Sequence, residues 1–224
     1  YKSLKEESNK IGIEVAKMIE KDVKSATNFE EKLYKATAAA ITGNIIDYGT
    51  AMHSVDLREL TKIYKDVLRR GFAINDMPKL MEHLQRASLI LYIGDNAGET
   101  AFDKILITTL VESGAEVYYV VREGPISNDA TIEDAKAVGM DEVAKIISIG
   151  SRNLGVDFRV ASKEFLNIYR SADMVIAKGQ SNYETLTHFI DELEKPIFLL
   201  LRVKCPPIAE HIGLTVGDNV VMLI

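Results

Sequence analysis

Cysteine is all but missing from this chain. Cys205 stands alone, which excludes an intramolecular disulfide and any cysteine-rich zinc site. That cysteine usage leads to the expectation of an intracellular, cytoplasmic setting, and with no signal-peptide pattern or long apolar run no membrane insertion is expected. Positive charge is not in excess: 27 Lys and Arg stand against 33 Asp and Glu, for a net charge of −6. That balance argues against a protein built mainly to bind nucleic acid, while leaving room for a local basic pocket. The four histidines, His53, His83, His188 and His211, share no metal-ligand spacing, so surface or supporting positions are expected for them. Neither a Gly-x-Gly-x-x-Gly fingerprint nor a Gly-Lys-Ser/Thr phosphate loop occurs.

What is present fits an ordinary soluble protein. Hydrophobic residues make up 47% of the 224, enough for a sizeable core, and 27% are charged. That length suits one α/β domain, or one with a helical appendage.

The chain changes texture near residue 87. Before it the pattern is helical: Ile11, Ile13, Val15, Met18 and Ile19 recur among Lys and Glu as one apolar face. The segment 29–41 is rich in Glu, Lys and Ala and ends at a Thr-Gly-Asn stop signal. Segments 57–68 and 77–85 predict two more helices, the second with Asp76 as a cap and Pro78 as an early proline. No strand is expected before residue 88. After it come five apolar, β-branched or aromatic runs at 89–93, 117–121, 145–149, 174–177 and 197–201. Helix-compatible segments at 101–112, 132–138, 162–169 and 184–193 separate most of them, and 219–224 offers a last strand. Such alternation predicts an α/β fold: a mostly parallel, Rossmann-like sheet flanked by helices, with an N-terminal all-helical region. The expected division is a helical cap over 1–87 and an α/β metal- and phosphate-binding domain over 88–224.

Polar motifs fall at the ends of the predicted strands. Gly94-Asp95-Asn96-Ala97-Gly98-Glu99 follows the first run, and Arg122 to Thr131 follows the second. Lys178-Gly179-Gln180-Ser181-Asn182-Tyr183-Glu184 follows the fourth, and Arg202-Val203-Lys204-Cys205-Pro206-Pro207 the fifth. Each loop alone is good turn and cap chemistry. Together they put two carboxylate–amide pairs and two lysines on one sheet edge, the usual ligand site of open α/β sheets. Asp95, Asn96 and Asp129 offer hard oxygens for a divalent cation, with Asn128 as a rival to Asp129. Lys178 and Lys204 suit phosphate oxygens as mobile point charges. The chemistry such a group supports is phosphoryl transfer or hydrolysis. A second polar cluster, 43–49, reads either as an interhelical loop bonding its own backbone or as Asn44 and Asp47 reaching the pocket to choose the substrate. Cys205 is expected to be a packed thiol rather than a nucleophile.

These motifs, in this order, resemble the damage-control phosphatases, metal-dependent enzymes first catalogued as a domain of unknown function. The resemblance runs from about Ser88 to the end, and the helical region suits the family's N-terminal part. Some members carry paired cysteines near the N-terminus, and this sequence holds no such pair. By resemblance, Asp95, Asn96 and Asp129 stand where the family holds its metal, which implies Mn²⁺, Co²⁺, Ni²⁺ or Mg²⁺. Lys204 stands where a cation meets substrate phosphate. Glu99, Asn128, Gln180, Asn182 and Glu184 fall in the same motifs and would line the pocket or support it. The implied activity is phosphomonoester hydrolysis of small phosphorylated metabolites: sugar phosphates, nucleotides or damaged cofactor phosphates. Two routes stay open, attack by Asp95 or Asp129 to form an aspartyl-phosphate, or direct attack by metal-bound water. The Asp-x-Asp pattern of haloacid dehalogenases is absent, since Asn96-Ala97 follows Asp95. The rival classes are a non-hydrolytic nucleotide- or cofactor-binding protein and an S-adenosylmethionine-dependent carboxyl methyltransferase.

Overall fold

The computed structural model describes residues 2–45 and 57–224. Among these residues three helices come first: α1 (Lys2–Lys24), α2 (Phe29–Gly43) and α3 (Leu57–Arg70). Local chemistry sets the start of α2. Asn28 Oδ1 accepts the Glu31 N–H at 2.8 Å, which satisfies one orphan donor of the first turn, and the Glu31 carboxylate reaches back to the Thr27 N–H at 2.8 Å, which ties down the incoming chain. The small residues Ala36, Ala39, Ala40 and Gly43 are buried on α2, which packs on the first helix after β2, α5 (Thr100–Glu112). A Cβ on Gly43 would stand 2.9 Å from Phe102 Cβ, so the close approach depends on that glycine.

Among the described residues the sheet has seven strands: β1 (Ile74–Asn75), β2 (Leu89–Ile93), β3 (Glu116–Val121), β4 (Lys145–Ser148), β5 (Met174–Lys178), β6 (Ile197–Arg202) and β7 (Asn219–Leu223). Their order is β1-β7-β6-β5-β2-β3-β4, parallel throughout except for the antiparallel pair β6–β7. The mostly parallel α/β sheet with helices ahead of it is therefore the architecture. The remaining helices are α4 (Met77–Leu84), α6 (Ile132–Ala137), α7 (Lys163–Ser171), α8 (Gly179–His188) and α9 (Pro206–Ile212). Alternate strand residues bury on opposite faces: Ile90 and Tyr92 join one apolar cluster, Leu91 and Ile93 the other. The first cluster also holds Val15, Leu33, Ile41 and Val67, so the N-terminal helices form a layer over one face of the sheet.

Three sequence expectations need correction. A strand does precede residue 88: Ile74 and Asn75 pair with Val220 and Val221. Two residues carry no readable period, and only a partner distant in sequence makes them a strand. Asp76 does not cap α4 with its side chain; Oδ2 accepts the Leu223 N–H at 2.9 Å instead. Finally, α8 begins at Gly179 rather than near 184, so Gln180 to Glu184 are helical and not a loop. Gly179 at φ +82° turns strand directly into helix, a conformation open to glycine that periodicity cannot show.

Helix α1 is tied to the opening of α6. Lys5 Nζ lies 2.6 Å from Asp134 Oδ2, Asn9 Nδ2 donates to Oδ1 at 3.1 Å, and the Thr131 hydroxyl and amide donate to Oδ2. Burial pushes the Asp134 carboxyl up, but Lys5 and Thr131 outweigh it and hold it below the usual carboxylate range. A lowered folded-state acid stabilises above the unfolded value and loses that contribution as pH falls through the folded one. Asp134→Asn is accordingly expected to be less stable than the parent at pH 7 by about 1–2 kcal/mol. The gap should narrow at pH values below the ordinary carboxylate value of about 4. Urea unfolding at both pH values checks this, and a gap independent of pH would contradict it.

Candidate active site

Strands β6, β5, β2 and β3 are adjacent and parallel, so their carboxyl ends open on one edge. The chain leaves β2 toward β3 and β4, then returns to the other side of β2 with β5. That reversal makes the β2–β5 crevice the topological switch point. Asp95 lies in it. Two glycines keep the crevice tight. A Cβ on Gly94 would fall 2.5 Å from Tyr119 Oη, and one on Gly179 would fall 1.9 Å from Asp95 Oδ2.

The loops after β2 and β3 are zipped together. The Ala130 N–H donates to the Asp95 carbonyl at 2.8 Å, the Ala97 N–H donates to the Asn128 carbonyl at 2.9 Å, and Asn96 and Asp129 form an isolated antiparallel bridge. Backbone pairing thus brings Asp95, Asn96 and Asp129 together, all three buried. Burial, then Glu99 and Asp129, push the Asp95 carboxyl well above its usual range, with Lys204 and Lys178 opposing. Asp129 is also raised by burial, against the pull of Arg122, whose Nε lies 2.7 Å from Asp129 Oδ2.

Beneath Asp95 lies a ring of amides and carboxylates. Asn44 Nδ2 donates to Asp95 Oδ2 at 3.2 Å and to Glu99 Oε1 at 2.9 Å. Asn96 Nδ2 donates to the same two oxygens at 3.2 and 2.7 Å. Below the ring, Lys178 Nζ pairs with Glu99 Oε2 at 2.9 Å and with Asp103 Oδ1 at 2.8 Å. Asp103 in turn accepts the Tyr92 and Tyr119 hydroxyls at 2.7 and 3.1 Å. Burial opposes the charge on Lys178, yet Asp103 and Glu99 outweigh it and hold the ammonium above the ordinary lysine range.

This geometry sorts the residues expected from the sequence. Asp95, Asn96 and Asp129 converge. Lys204 is half-buried at the end of β6 and near enough to Asp95 for its charge to act there. Gln180 Oε1 accepts the Lys204 N–H at 2.5 Å, which fixes the turn that carries the lysine, and Cys205 Sγ lies 3.5 Å from Gln180 Nε2. The Asn44 side chain reaches Asp95 and Glu99 across the fold. Asp47 and His53 lie outside the described residues. Lys178, at 0% exposure between two carboxylates, is not placed to meet a phosphate. Glu99 is likewise fully buried and supports the site from below. Asn182 is a staple rather than a pocket wall: Nδ2 donates to the Gly94 and Lys178 carbonyls, and Oδ1 accepts from Arg122. Glu184 is exposed and borders a surface groove with Asn153 and His188. Two helical positions past Asn182, it points roughly to the opposite side of α8.

A family model for the damage-control phosphatase ARMT1-like domain matches residues 1–220. The chain belongs to that family. An uncharacterized protein of Methanocaldococcus jannaschii is 40% identical over 99% of this chain and 72% of its own length. A damage-control phosphatase of Pyrococcus horikoshii is 44% identical over 84% of this chain, which spans 63% of that protein. Another, from Archaeoglobus fulgidus, is 32% identical over 100% of this chain and 75% of its own length. The crystal structure of a DUF89 family protein from P. horikoshii superposes with a TM-score of 0.84 at 40% identity, over 98% of this chain and 73% of that one.

Two residues of this family member escaped the sequence reading. Arg122 binds Asp129, the Gly155 carbonyl (2.6 Å) and Asn182, joining three strand ends. Its signal was position alone, directly after a strand. Asp103 stands one helical step, i+4, from Glu99, and that spacing was the available hint. Among the described residues no three His, Cys, Asp or Glu side chains converge as metal ligands. A cation would therefore rest on two carboxylates and an amide oxygen, a hard donor set suited to Mg²⁺ or Mn²⁺. Burial, with the negative charge of Glu99 and Asp129, raises Asp95, and a cation at this place would oppose both.

Proposed function

We propose that this chain is a metal-dependent phosphatase that hydrolyses small phosphorylated metabolites such as sugar phosphates, nucleotides or damaged cofactor phosphates. The observation that carries the reading is the meeting of Asp95, Asn96 and Asp129 at the switch point of the sheet, in a chain whose relatives bear the name damage-control phosphatase. Asp95, Asn96 and Asp129 would hold Mg²⁺, Mn²⁺, Co²⁺ or Ni²⁺. When bound, the cation supplies Lewis-acid stabilisation of the charge that develops on a phosphoryl group. Lys204, with its charge on the same side as Asp95, pairs with substrate phosphate. Arg122 orients Asp129 and favours its charged form against burial, and the Asn44 and Asn96 amides orient Asp95. Burial of the carboxylates keeps bulk water from screening these interactions. Among the described residues no helix is long and apolar enough to cross a membrane. Cytoplasmic metabolites, rather than nucleic acid or lipid, are the proposed partners.

The test is hydrolysis of a generic phosphate ester by metal-stripped protein, with each of the four cations restored singly. Turnover is expected only with metal, and Asp95→Ala should lower kcat/KM by at least about 10²–10³-fold. Metal-independent turnover, or full activity in Asp95→Ala, would defeat the reading.

A further inference from the structure

Asn96 has one oxygen and one nitrogen on its amide, and only the oxygen can serve a cation. The amide nitrogen is held at two acceptors, Glu99 Oε1 at 2.7 Å and Asp95 Oδ2 at 3.2 Å. No described donor reaches Asn96 Oδ1. Glu99 Oε1 takes a second amide, Asn44 Nδ2, whose own Oδ1 is fixed by the Arg202 N–H at 3.2 Å. The ring therefore has one sense only: nitrogens inward to Glu99, the Asn96 oxygen outward. Glu99 cannot rotate out of this role, because Lys178 holds Oε2 and Asp103 holds Lys178. All three are at 0% exposure, so none of them touches substrate.

We infer that Glu99 is a positioning residue that sets the amide orientation of Asn96, so that Asn96 presents its oxygen to the cation, and that Lys178 and Asp103 lock Glu99 in that role. The inference rests on the proposed metal-dependent function and deepens it. Replacing Glu99 by Gln keeps an oxygen for Lys178 but turns an N–H toward both Asn96 and Asn44. The Asn96 amide must then invert and offer nitrogen to the metal. Replacing Asn96 by Asp would add a third carboxylate to the site but set it against Glu99. Combining the two changes restores the contact between positions 96 and 99 with its polarity exchanged: the side chain at position 99 donates, the one at position 96 accepts, and the second oxygen of the latter faces outward, while Asn44 keeps only its bond to Asp95.

The experiment titrates each protein with Mn²⁺ and reads free Mn²⁺ by electron paramagnetic resonance, with thermal unfolding followed in parallel. Glu99→Gln is expected to bind Mn²⁺ about 10–100-fold more weakly than the parent. Asn96→Asp should also bind more weakly, although a count of carboxylates alone would have it bind more tightly. The double variant should recover part of the lost affinity and bind more tightly than Glu99→Gln. Parent-like affinity in Glu99→Gln, tighter binding by Asn96→Asp, or a double variant no better than Glu99→Gln would each overturn the inference. Each variant reads it independently, so failure of one to fold leaves the other comparisons decisive. A parent protein that takes up no Mn²⁺ would defeat the metal reading itself, a distinguishable result.

Discussion

Gly179→Ala is expected to lose about 2–5 kcal/mol of stability and with it most activity. Two independent effects add. The backbone at φ +82° is left-handed, where an L side chain costs about 1–2 kcal/mol. The new Cβ would also stand 1.9 Å from Asp95 Oδ2 and 2.4 Å from its Cγ. That carboxylate cannot swing aside, because two asparagine amides hold the same oxygen. Overpacking of this kind adds about 1–3 kcal/mol, and the sum corresponds to a fall in Tm of roughly 5–15 °C. Gly213→Ala is the control: its φ is +77°, but nothing lies within 4 Å of an added Cβ. It should show the backbone penalty alone. Equal losses in the two variants would mean that the contact with Asp95 is slack.

Lys178→Met is expected to cost about 3–5 kcal/mol, because it strands Glu99 and Asp103 as buried carboxylates without their cation. The Asp103 carboxyl is already raised by burial despite Lys178, and removing the lysine raises it further. An acid raised in the folded state binds a proton that the unfolded chain does not. The variant should therefore regain stability as pH falls from the raised folded value toward about 4. In the parent, Lys178 carries the opposite linkage: its contribution is complete below the ordinary lysine value and fades only as pH rises through the elevated folded one. Urea midpoints across pH 4–8 test the variant's recovery, and a parent series carried into alkali tests the lysine. A deficit that does not shrink on acidification would show that lost packing, not stranded charge, is the cause.

The sheet was legible because its signal is local and repetitive. Runs such as 89–93 and 197–201 are apolar on both faces, as strands buried on two sides must be, and they alternate with helical segments. The group Asp95, Asn96 and Asp129 was legible for a related reason: strand ends gather on one edge whenever the strands are parallel. Boundaries were less so. The start of α8 hid behind Gly179, since a turn of no residues leaves no turn signature, and β1 exists only through β7. Orientation was not legible at all. Lys178, Asn182 and Glu184 occupy one motif, yet the strand–helix junction sends the first under the site, the second across it and the third to solvent.

What the sequence alone determined is the period, and hence the layers, together with the residue types available at each strand end. Hydrophobic spacing and backbone stereochemistry are properties of neighbouring residues, and neighbours are what a sequence displays. Which charges meet was decided only by tertiary structure. Lys178 is a phosphate ligand or a buried counter-ion according to whether Asp103, 75 residues away, reaches it, and it does. Asn44 is a loop residue or a member of the ring according to how α2 lies on α5. Such contacts depend on burial and on partners remote in the chain, because the energy of a charge is fixed by what surrounds it in space rather than by what precedes it in sequence.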